Sequence, residues 1–409
     1  MPELVEIIAP SGRIKTRVEL PLSKSMCNRA IMLMAVTKGA IKPDAISDAE
    51  DSQLLLQAVS QPSESIFVGA GGTTLRFLLP YLSALPGYEG LVKGSERLMQ
   101  RPFKSLLDAL LALGADIEYS QAGFRIKGKE LEGGSVYLDN SETSQFASAL
   151  LLAAPGMRKG IDLHLPSDLP SLSYLRMTVD MMLKAGFDVS VTDRQISVKP
   201  GLVKPSIIHI ERDWSAASYW YGIAALKSES QILLSDLTLV SSQSDALCAD
   251  IFNLIGVSTT EVNEGLLLCS KPAKDFSFHY DVSETPDLFQ TLCFTLSGLR
   301  KQFSFSGLST LRVKETDRIA AVQSQLLKLN VSSRFLNSDT LLFDARHIRT
   351  EATTIFESFD DHRMAMSAAV LTSVLWKAAI RDPFVVSKSY PSFWNDLSKA
   401  GFSVRELES

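Results

Sequence analysis

One short pattern recurs along this chain at nearly constant spacing, and it limits the possible folds more than any bulk property does. An amphipathic helix ends at Gly or Asn and a short alternating strand follows. The helical stretch 110–114 leads into 115–119, 182–186 into 187–191, 252–256 into 257–262, 326–330 into 331–335, and 397–401 into 402–405. The terminating residues Gly114, Gly186, Gly256, Asn330 and Gly401 are 72, 70, 74 and 71 positions apart. Gly, and less often Asn, takes the left-handed conformation that closes a helix. The alternation after it reads as a half-buried strand. A weaker sixth copy, 54–58 followed by 66–68, lacks the glycine. Helix-Gly-strand also recurs by chance in α/β proteins, but not at so narrow a spread of spacings. The expected fold is therefore α/β (α+β), one supersecondary unit of about 70 residues repeated six times. No Gly-rich or Pro-rich linker marks where one domain would end.

Composition removes several function classes. With 409 residues, 45% of them hydrophobic, the chain can bury two or more sizeable cores. A net charge of −5 offers no general basic field for nucleic acid or an anionic membrane. Anionic substrates would have to meet positive charge gathered locally. Cys27, Cys248, Cys269 and Cys293 lie far apart and form no metal-binding or disulfide pattern. No apolar run reaches the roughly 18 residues of a membrane span. The N-terminus opens with acids and lacks the basic start of a signal peptide, so a cytoplasmic location is expected.

Against that acidic background, cations and hydroxyls collect where helices begin. Ser23-Lys24-Ser25 precedes an apolar helix that also carries Arg29, with Ser23 or Ser25 as the cap. A lysine at that end opposes the helix dipole unless an anion compensates. A capped surface helix with a solvated lysine would read the same way. Gly69-Ala70-Gly71-Gly72-Thr73 lies between a strand and a helix. Its N–H groups could approach an anion, although it fits neither the Walker nor the dinucleotide pattern, and an empty tight turn is the alternative. Arg101-Pro102 places an arginine at a helix start, with Pro102 at the first helical position. Asn140-Ser141-Glu142-Thr143-Ser144-Gln145 brings hydroxyls and an amide to another, where a capping box would also account for them. Ser171 and Tyr174 stand similarly before the helix ending at Gly186.

The C-terminal half carries the carboxylates. Asp287 follows Pro286 and would serve as a helix cap if it did nothing else. Lys314-Glu315-Thr316-Asp317-Arg318 is dense in charge. Read as a helix, it puts Lys314 and Arg318 on one face, where they repel unless an anion lies between them. Asp361-His362-Arg363 opens another apolar helix, and Lys388 stands in a turn before the last one. If these helix starts converge, the result is a positive cleft holding two carboxylates, Asp287 and Glu315. Such a cleft suits two anionic small substrates and acid–base chemistry.

These segments, in this order, resemble the 5-enolpyruvylshikimate-3-phosphate synthases, the enolpyruvyl transferases of the shikimate pathway. The likeness runs over roughly residues 8 to 403. Lys314-Glu315-Thr316-Asp317-Arg318 and Asp361-His362-Arg363-Met364-Ala365-Met366 are its most specific elements. It implies a two-domain enolpyruvyl transferase fold, three repeated units per domain with pseudo-threefold symmetry. One domain would be discontinuous, 1–20 with 237–409, and the other would span 21–236, with crossings near 20–22 and 236–239. The resemblance further implies shikimate 3-phosphate contacts at Lys24, Ser25, Arg29, Thr143, Ser144, Gln145, Ser171, Tyr174, Asp287 and Lys314. Phosphoenolpyruvate would meet Lys24, Gly72, Arg101, Gln145, Arg318, Arg363 and Lys388. Asp287, Glu315 and Lys24 would be catalytic. No cofactor or metal, no nucleic-acid or membrane partner, and a monomer are expected.

Three positions depart from the family pattern. Ala70 replaces an Asn of the glycine loop, Thr143 replaces a Ser, and Thr310 stands where an Asn often meets shikimate 3-phosphate. A related transferase acting on UDP-N-acetylglucosamine normally starts Lys-Asn and carries a reactive loop cysteine. Here Ser25 follows Lys24 and no cysteine lies near 97–102. A catalytically silent protein on the same fold would be expected to lack Asp287 or Glu315, and both are present.

Overall fold

The computed structural model describes residues 3–138, 143–167, 169–201, 203–271, 277–351 and 353–407. The chain separates into two compact units, one split, Met1–Pro21 with Arg212–Ser409, and one continuous, Leu22–Glu211. Each unit has its own apolar core.

The repeat is visible in the sheets. Among the described residues, five sheets of four strands share one order: two parallel strands at one edge, followed by an antiparallel pair, which is a hairpin in four of them and joins Leu4–Ile8 to Ser403–Leu407 in the fifth. In the continuous unit, Ser65–Phe67 runs parallel to Glu89–Lys93, which pairs antiparallel with Gly123–Lys127 and through it with Asp116–Ser120. The predicted terminators close the helix before each outer antiparallel strand with positive φ: +87° at Gly114, +90° at Gly186, +107° at Gly256, +66° at Asn330 and +95° at Gly401. The sixth copy departs from expectation. Helix Glu50–Ser60 forms, but the strand Ser65–Phe67 after it belongs to the next sheet. Among the described residues the sixth sheet keeps only its parallel pair, Ile41–Pro43 with Ser206–Ile208.

A sheet with one apolar face must bury it against helices. Each unit does so around three inner helices: Lys24–Val36, Gly72–Ser83 and Ser144–Ala153 in the continuous unit, and Trp214–Leu226, Phe289–Gly298 and His362–Leu371 in the split one. Within each unit the three pack on one another. Close approach is enforced by small residues. A Cβ on Gly222 would lie 2.6 Å from Val370 Cγ1 and 2.7 Å from Thr295 Oγ1, so all three helices of the split unit meet at that glycine.

The second crossing lies at Glu211–Arg212, some 25 residues before the expected 236–239. The cause is an exchange of helices. Edge strand Lys15–Glu19 pairs parallel with Gln231–Ser235 in the split unit, but the chain after it enters helix Lys24–Val36 of the continuous unit. Edge strand Ser206–Ile208 pairs with Ile41–Pro43, and the chain after it enters helix Trp214–Leu226 of the split unit. Trp214, Trp220, Ile232 and Leu234 all belong to the split unit's core, so the boundary must precede them. The N-terminal strand Leu4–Ile8 lies between Ala378–Arg381 and Ser403–Leu407, antiparallel to both.

Candidate active site

In the continuous unit, Ser23 caps helix Lys24–Val36 by accepting from the N–H of Met26. Lys24 is thereby fixed in the first turn. Its side chain is not solvated: it is 14% exposed and its Nζ lies 2.9 Å from Asp51 Oδ2, itself 12% exposed. Asp51 is the compensating anion that the misplaced lysine required. It also anchors the glycine turn, because its carbonyl accepts from Thr74 Oγ1 at 2.9 Å and a Cβ on Gly71 would sit 3.1 Å from its Oδ1.

Gly72 begins the helix Gly72–Ser83, and a Cβ there would lie 2.7 Å from Arg101 Nη1 and 3.0 Å from Arg76 Nη1. Two guanidinium groups therefore crowd the helix start. Arg76 donates to Gln145 Oε1 at 2.7 Å and lies over the rings of Phe103 and Phe146. Pro102 is not at a first helical position; that helix begins later, at Lys104, after Phe103. Thr143 caps the helix Ser144–Ala153 by accepting from Gln145 N, and Ser144 is buried at its first position. Asn140, Ser141 and Glu142 lie outside the described residues.

Arg29, one turn beyond Ser25, is buried. Its Nη1 donates to the Ser25 carbonyl at 2.7 Å, its Nη2 to the Tyr174 carbonyl at 3.1 Å, and its Nε to Thr178 Oγ1 at 2.7 Å. Burial pulls its pKa down to about 10, with the nearby Tyr174 opposing. Ser171 precedes helix Leu172–Lys184 with φ +58°, a left-handed conformation that a serine adopts at some cost, and it makes no side-chain cap. Lys24, Gly72, Arg101 and Gln145 are thus linked through Asp51 and Arg76. Ser25 and Arg29 on the inner helix Lys24–Val36, with Tyr174 on helix Leu172–Lys184, form a second group joined through the Arg29 guanidinium.

In the split unit the arrangement is centred on Arg318. Its side chain is 1% exposed and meets three carboxylates: Nη1 to Asp287 at 2.8 Å, Nη2 to Glu315 at 3.0 Å and Nε to Asp361 at 2.8 Å. Burial alone would lower its pKa; Asp361, Glu315 and Asp287 outweigh that and raise it. Asp287 also receives Arg363 Nη2 at 2.7 Å. Burial works to raise the pKa of Asp287, but the charges of Arg363, Lys314 and Arg318 prevail and hold it well below the ordinary carboxylate value. Asp361 caps helix His362–Leu371 through Arg363 N, which fixes the root of the arginine.

Lys314 and Arg318 do not share a helical face. Lys314 ends a 3-10 segment, Ser309–Val313, and the helix starts at Arg318, capped by Asp317. An N-cap that accepts from both Ile319 and Ala320 is a strong stop signal, so the helix cannot extend back to Lys314. Lys388 Nζ donates to the Asp360 carbonyl at 2.6 Å. Phe359 and Asp360 are both left-handed, φ +53° and +56°, which turns that carbonyl toward the lysine immediately before Asp361. Thr310 is buried and, among the described residues, its hydroxyl has no hydrogen-bond partner.

Asp51 and Arg76 are not among the residues to which the sequence points, and Asp361 enters only as part of the motif that carries Arg363. Acids in a first helical turn, such as Asp51, read as ordinary dipole partners, and nothing local marks the lysine 27 residues away that needs them. Arg76 looked like one more residue of an apolar helix, although an arginine flanked by Leu75 and Phe77 was the available signal.

A continuous and a split unit built on the same repeated sheet define the enolpyruvyl transferase fold. Solved structures share it: an EPSP synthase from Acinetobacter baumannii aligns with a TM-score of 0.77 over 98% of this chain and 99% of its own, at 20% identity. The enolpyruvyl transferase NikO from Streptomyces tendae aligns with a TM-score of 0.75 over the whole of both chains, at 14% identity. The family model for EPSP synthase (3-phosphoshikimate 1-carboxyvinyltransferase) matches residues 55–397. A 3-phosphoshikimate 1-carboxyvinyltransferase of Bacteroides fragilis is 39% identical over 404 residues, 98% of each chain, and one of Methanospirillum hungatei is 32% identical over 96% of this chain and 97% of its own. The chain belongs to the EPSP synthase family.

Proposed function

We propose that this protein transfers the enolpyruvyl group of phosphoenolpyruvate to the 5-hydroxyl of shikimate 3-phosphate and releases phosphate, a step toward chorismate and the aromatic amino acids. The observation that carries the reading is the Arg318 cluster, which holds Asp287 and Glu315 on one guanidinium with Arg363 beside them.

The roles follow from the chemistry. The 5-hydroxyl attacks C2 of phosphoenolpyruvate, its proton passes to Asp287, and C3 gains a proton from Glu315. The tetrahedral adduct then loses a proton from C3 and its C2–O bond to phosphate breaks, restoring the double bond on the new ether. Lys24 assists proton transfer at C3. Asp287 in its resting state is a weak base, because cations surround it. Substrate anions that engage Arg363 and Lys314 draw that charge away and strengthen the base at the moment it is needed. Shikimate 3-phosphate is held by Lys24, Ser25, Arg29, Thr143, Ser144, Gln145, Ser171, Tyr174, Asp287 and Lys314. Phosphoenolpyruvate is held by Lys24, Gly72, Arg101, Gln145, Arg318, Arg363 and Lys388. Arginine suits carboxylate and phosphate because its planar fork donates two parallel hydrogen bonds. Positioning the two substrates supplies roughly 7–11 kcal/mol of the barrier.

Among the described residues no helix is long and apolar enough to cross a membrane. A cytoplasmic location and a monomeric state, as the family resemblance implies, are part of the proposal. Phosphate release on mixing the protein with both substrates tests the reading. Release should require both. Release from phosphoenolpyruvate alone, or none with the pair, would overturn it.

A further inference from the structure

Asp245 has no part in the reaction as assigned above, yet its carboxyl is sealed beside the groups that do. It lies in the 3-10 segment Ser244–Leu247 and is 3% exposed. Its Oδ2 accepts a hydrogen bond from Ser215 Oγ, in the first turn of helix Trp214–Leu226. Its Oδ1 is shielded from solvent and, among the described residues, has no hydrogen-bond partner. Ser215 Oγ in turn accepts from Arg363 Nη2 at 3.5 Å, and the same nitrogen donates to Asp287 Oδ2 at 2.7 Å. Asp245, Ser215, Arg363 and Asp287 form one chain of side chains from four elements.

An ionised carboxylate with one hydrogen bond in a dry pocket is costly unless its charge is met. The groups facing Asp245 are Asp287, Arg363 and Asp213, with Cys248 and Tyr280 beyond. Burial raises the pKa of Asp245 to about 7, and the charge of Asp287 adds to this, against Arg363 and the Ser215 hydrogen bond. Burial also pushes the Cys248 thiol and the Tyr280 hydroxyl upward, which keeps both neutral near pH 7.

We infer that Asp245 is a positioning residue whose charge, acting through Ser215, sets how strongly Arg363 attracts an anion. When Asp245 carries a proton, Arg363 presents its full charge to Asp287 and to substrate. When Asp245 is ionised, a second carboxylate competes for the same guanidinium and phosphoenolpyruvate binds more weakly. The inference rests on the reading of Arg363 as a phosphoenolpyruvate ligand.

The test measures the KM for phosphoenolpyruvate, at saturating shikimate 3-phosphate, between about pH 6 and pH 8.5 in wild type, Asp245→Asn and Ser215→Ala, with urea unfolding across the same range. In wild type the KM should rise about tenfold more over this range than in Asp245→Asn, whose curve retains only the titration of the substrate and other groups. Ser215→Ala should flatten the curve as well, although Asp245 still titrates in it. The unfolding arm is independent of activity. A carboxyl whose pKa is raised on folding stabilises the fold while protonated, and this is lost as pH rises toward the folded pKa. Asp245→Asn should therefore gain stability relative to wild type as pH rises, with the gap complete above about pH 7. KM curves that run parallel in wild type and Asp245→Asn, or an unfolding gap that does not grow with pH, overturn the inference. An Arg363→Ala variant with an unchanged KM for phosphoenolpyruvate would instead remove the reading beneath it.

Discussion

Arg29 and Arg318 are both fully enclosed arginines on inner or adjoining helices, and their surroundings move them in opposite directions. Arg29 is held by two carbonyls and a hydroxyl, and burial brings its pKa down to about 10. Arg318 is held by three carboxylates, and their charge carries its pKa upward despite the same burial. A cation bound only by neutral dipoles keeps its charge for an incoming anion. A cation bound by carboxylates spends its charge keeping them ionised and aligned. The continuous unit thus presents positive charge at Arg29, and the split unit presents aligned carboxylates at Asp287 and Glu315.

Activity should show the sharpest contrast. Asp287→Ala and Glu315→Gln should each lower turnover by about two to four orders of magnitude, the range for losing a general base or acid. Rates within threefold of wild type for both would dissolve the contrast, since the split unit's carboxylates would then be structural only.

Stability comes next. Arg318→Met removes the one guanidinium that Asp287, Glu315 and Asp361 share and should cost about 3–5 kcal/mol in urea unfolding. Arg29→Met loses hydrogen bonds to neutral groups and should cost less, about 1–3 kcal/mol, while weakening shikimate 3-phosphate binding measured by calorimetry. Equal losses of stability would show that the carboxylates around Arg318 do not depend on it.

The pH response sharpens the same point. The pKa of Asp287 is depressed on folding, so it contributes stability above its unfolded value near 4 that is lost as pH falls. The stability deficit of Asp287→Asn should be largest at neutral pH and shrink below about pH 4. A deficit independent of pH would mean that shape rather than charge holds the cluster. The smallest effect on the fold should come from Gly72→Ala, because the atoms nearest the added Cβ are the side-chain ends of Arg101 and Arg76 rather than backbone. Its expected signature is a raised KM for phosphoenolpyruvate with a stability change under about 1 kcal/mol. Gly222→Ala, where the added atom meets packed side chains of two other helices, should cost about 1–3 kcal/mol and serves as the contrast.

Local signals carried much of this in the sequence. The terminators from Gly114 to Gly401 announced the repeat because a left-handed residue leaves a compositional mark. The motifs around Lys24, Asp287, Arg318 and Arg363 announced charge at helix starts. What stayed hidden depended on partners distant in sequence. Asp51 is 27 residues from Lys24, and Asp361 is 43 from Arg318. The crossing at Glu211–Arg212 stayed hidden for a related reason. It falls between an edge strand and a helix inside what reads as one unbroken unit, and only the sheet pairing of Lys15–Glu19 and Ser206–Ile208 reveals the exchange.

That exchange also orders the events of synthesis. The continuous unit is covalently complete once Glu211 has left the ribosome, while half of the chain is still to be made. The first twenty-one residues belong elsewhere. Strand Lys15–Glu19 waits for Gln231–Ser235, and strand Leu4–Ile8 waits for Ala378–Arg381 and for Ser403–Leu407. These two strands are therefore made long before the strands they pair with. Until its partner is made, each is an unpaired strand that must stay in solution, and Glu3, Glu6, Lys15 and Arg17, charged residues in and around the two strands, give a nascent arm of that kind protection against pairing with its neighbours.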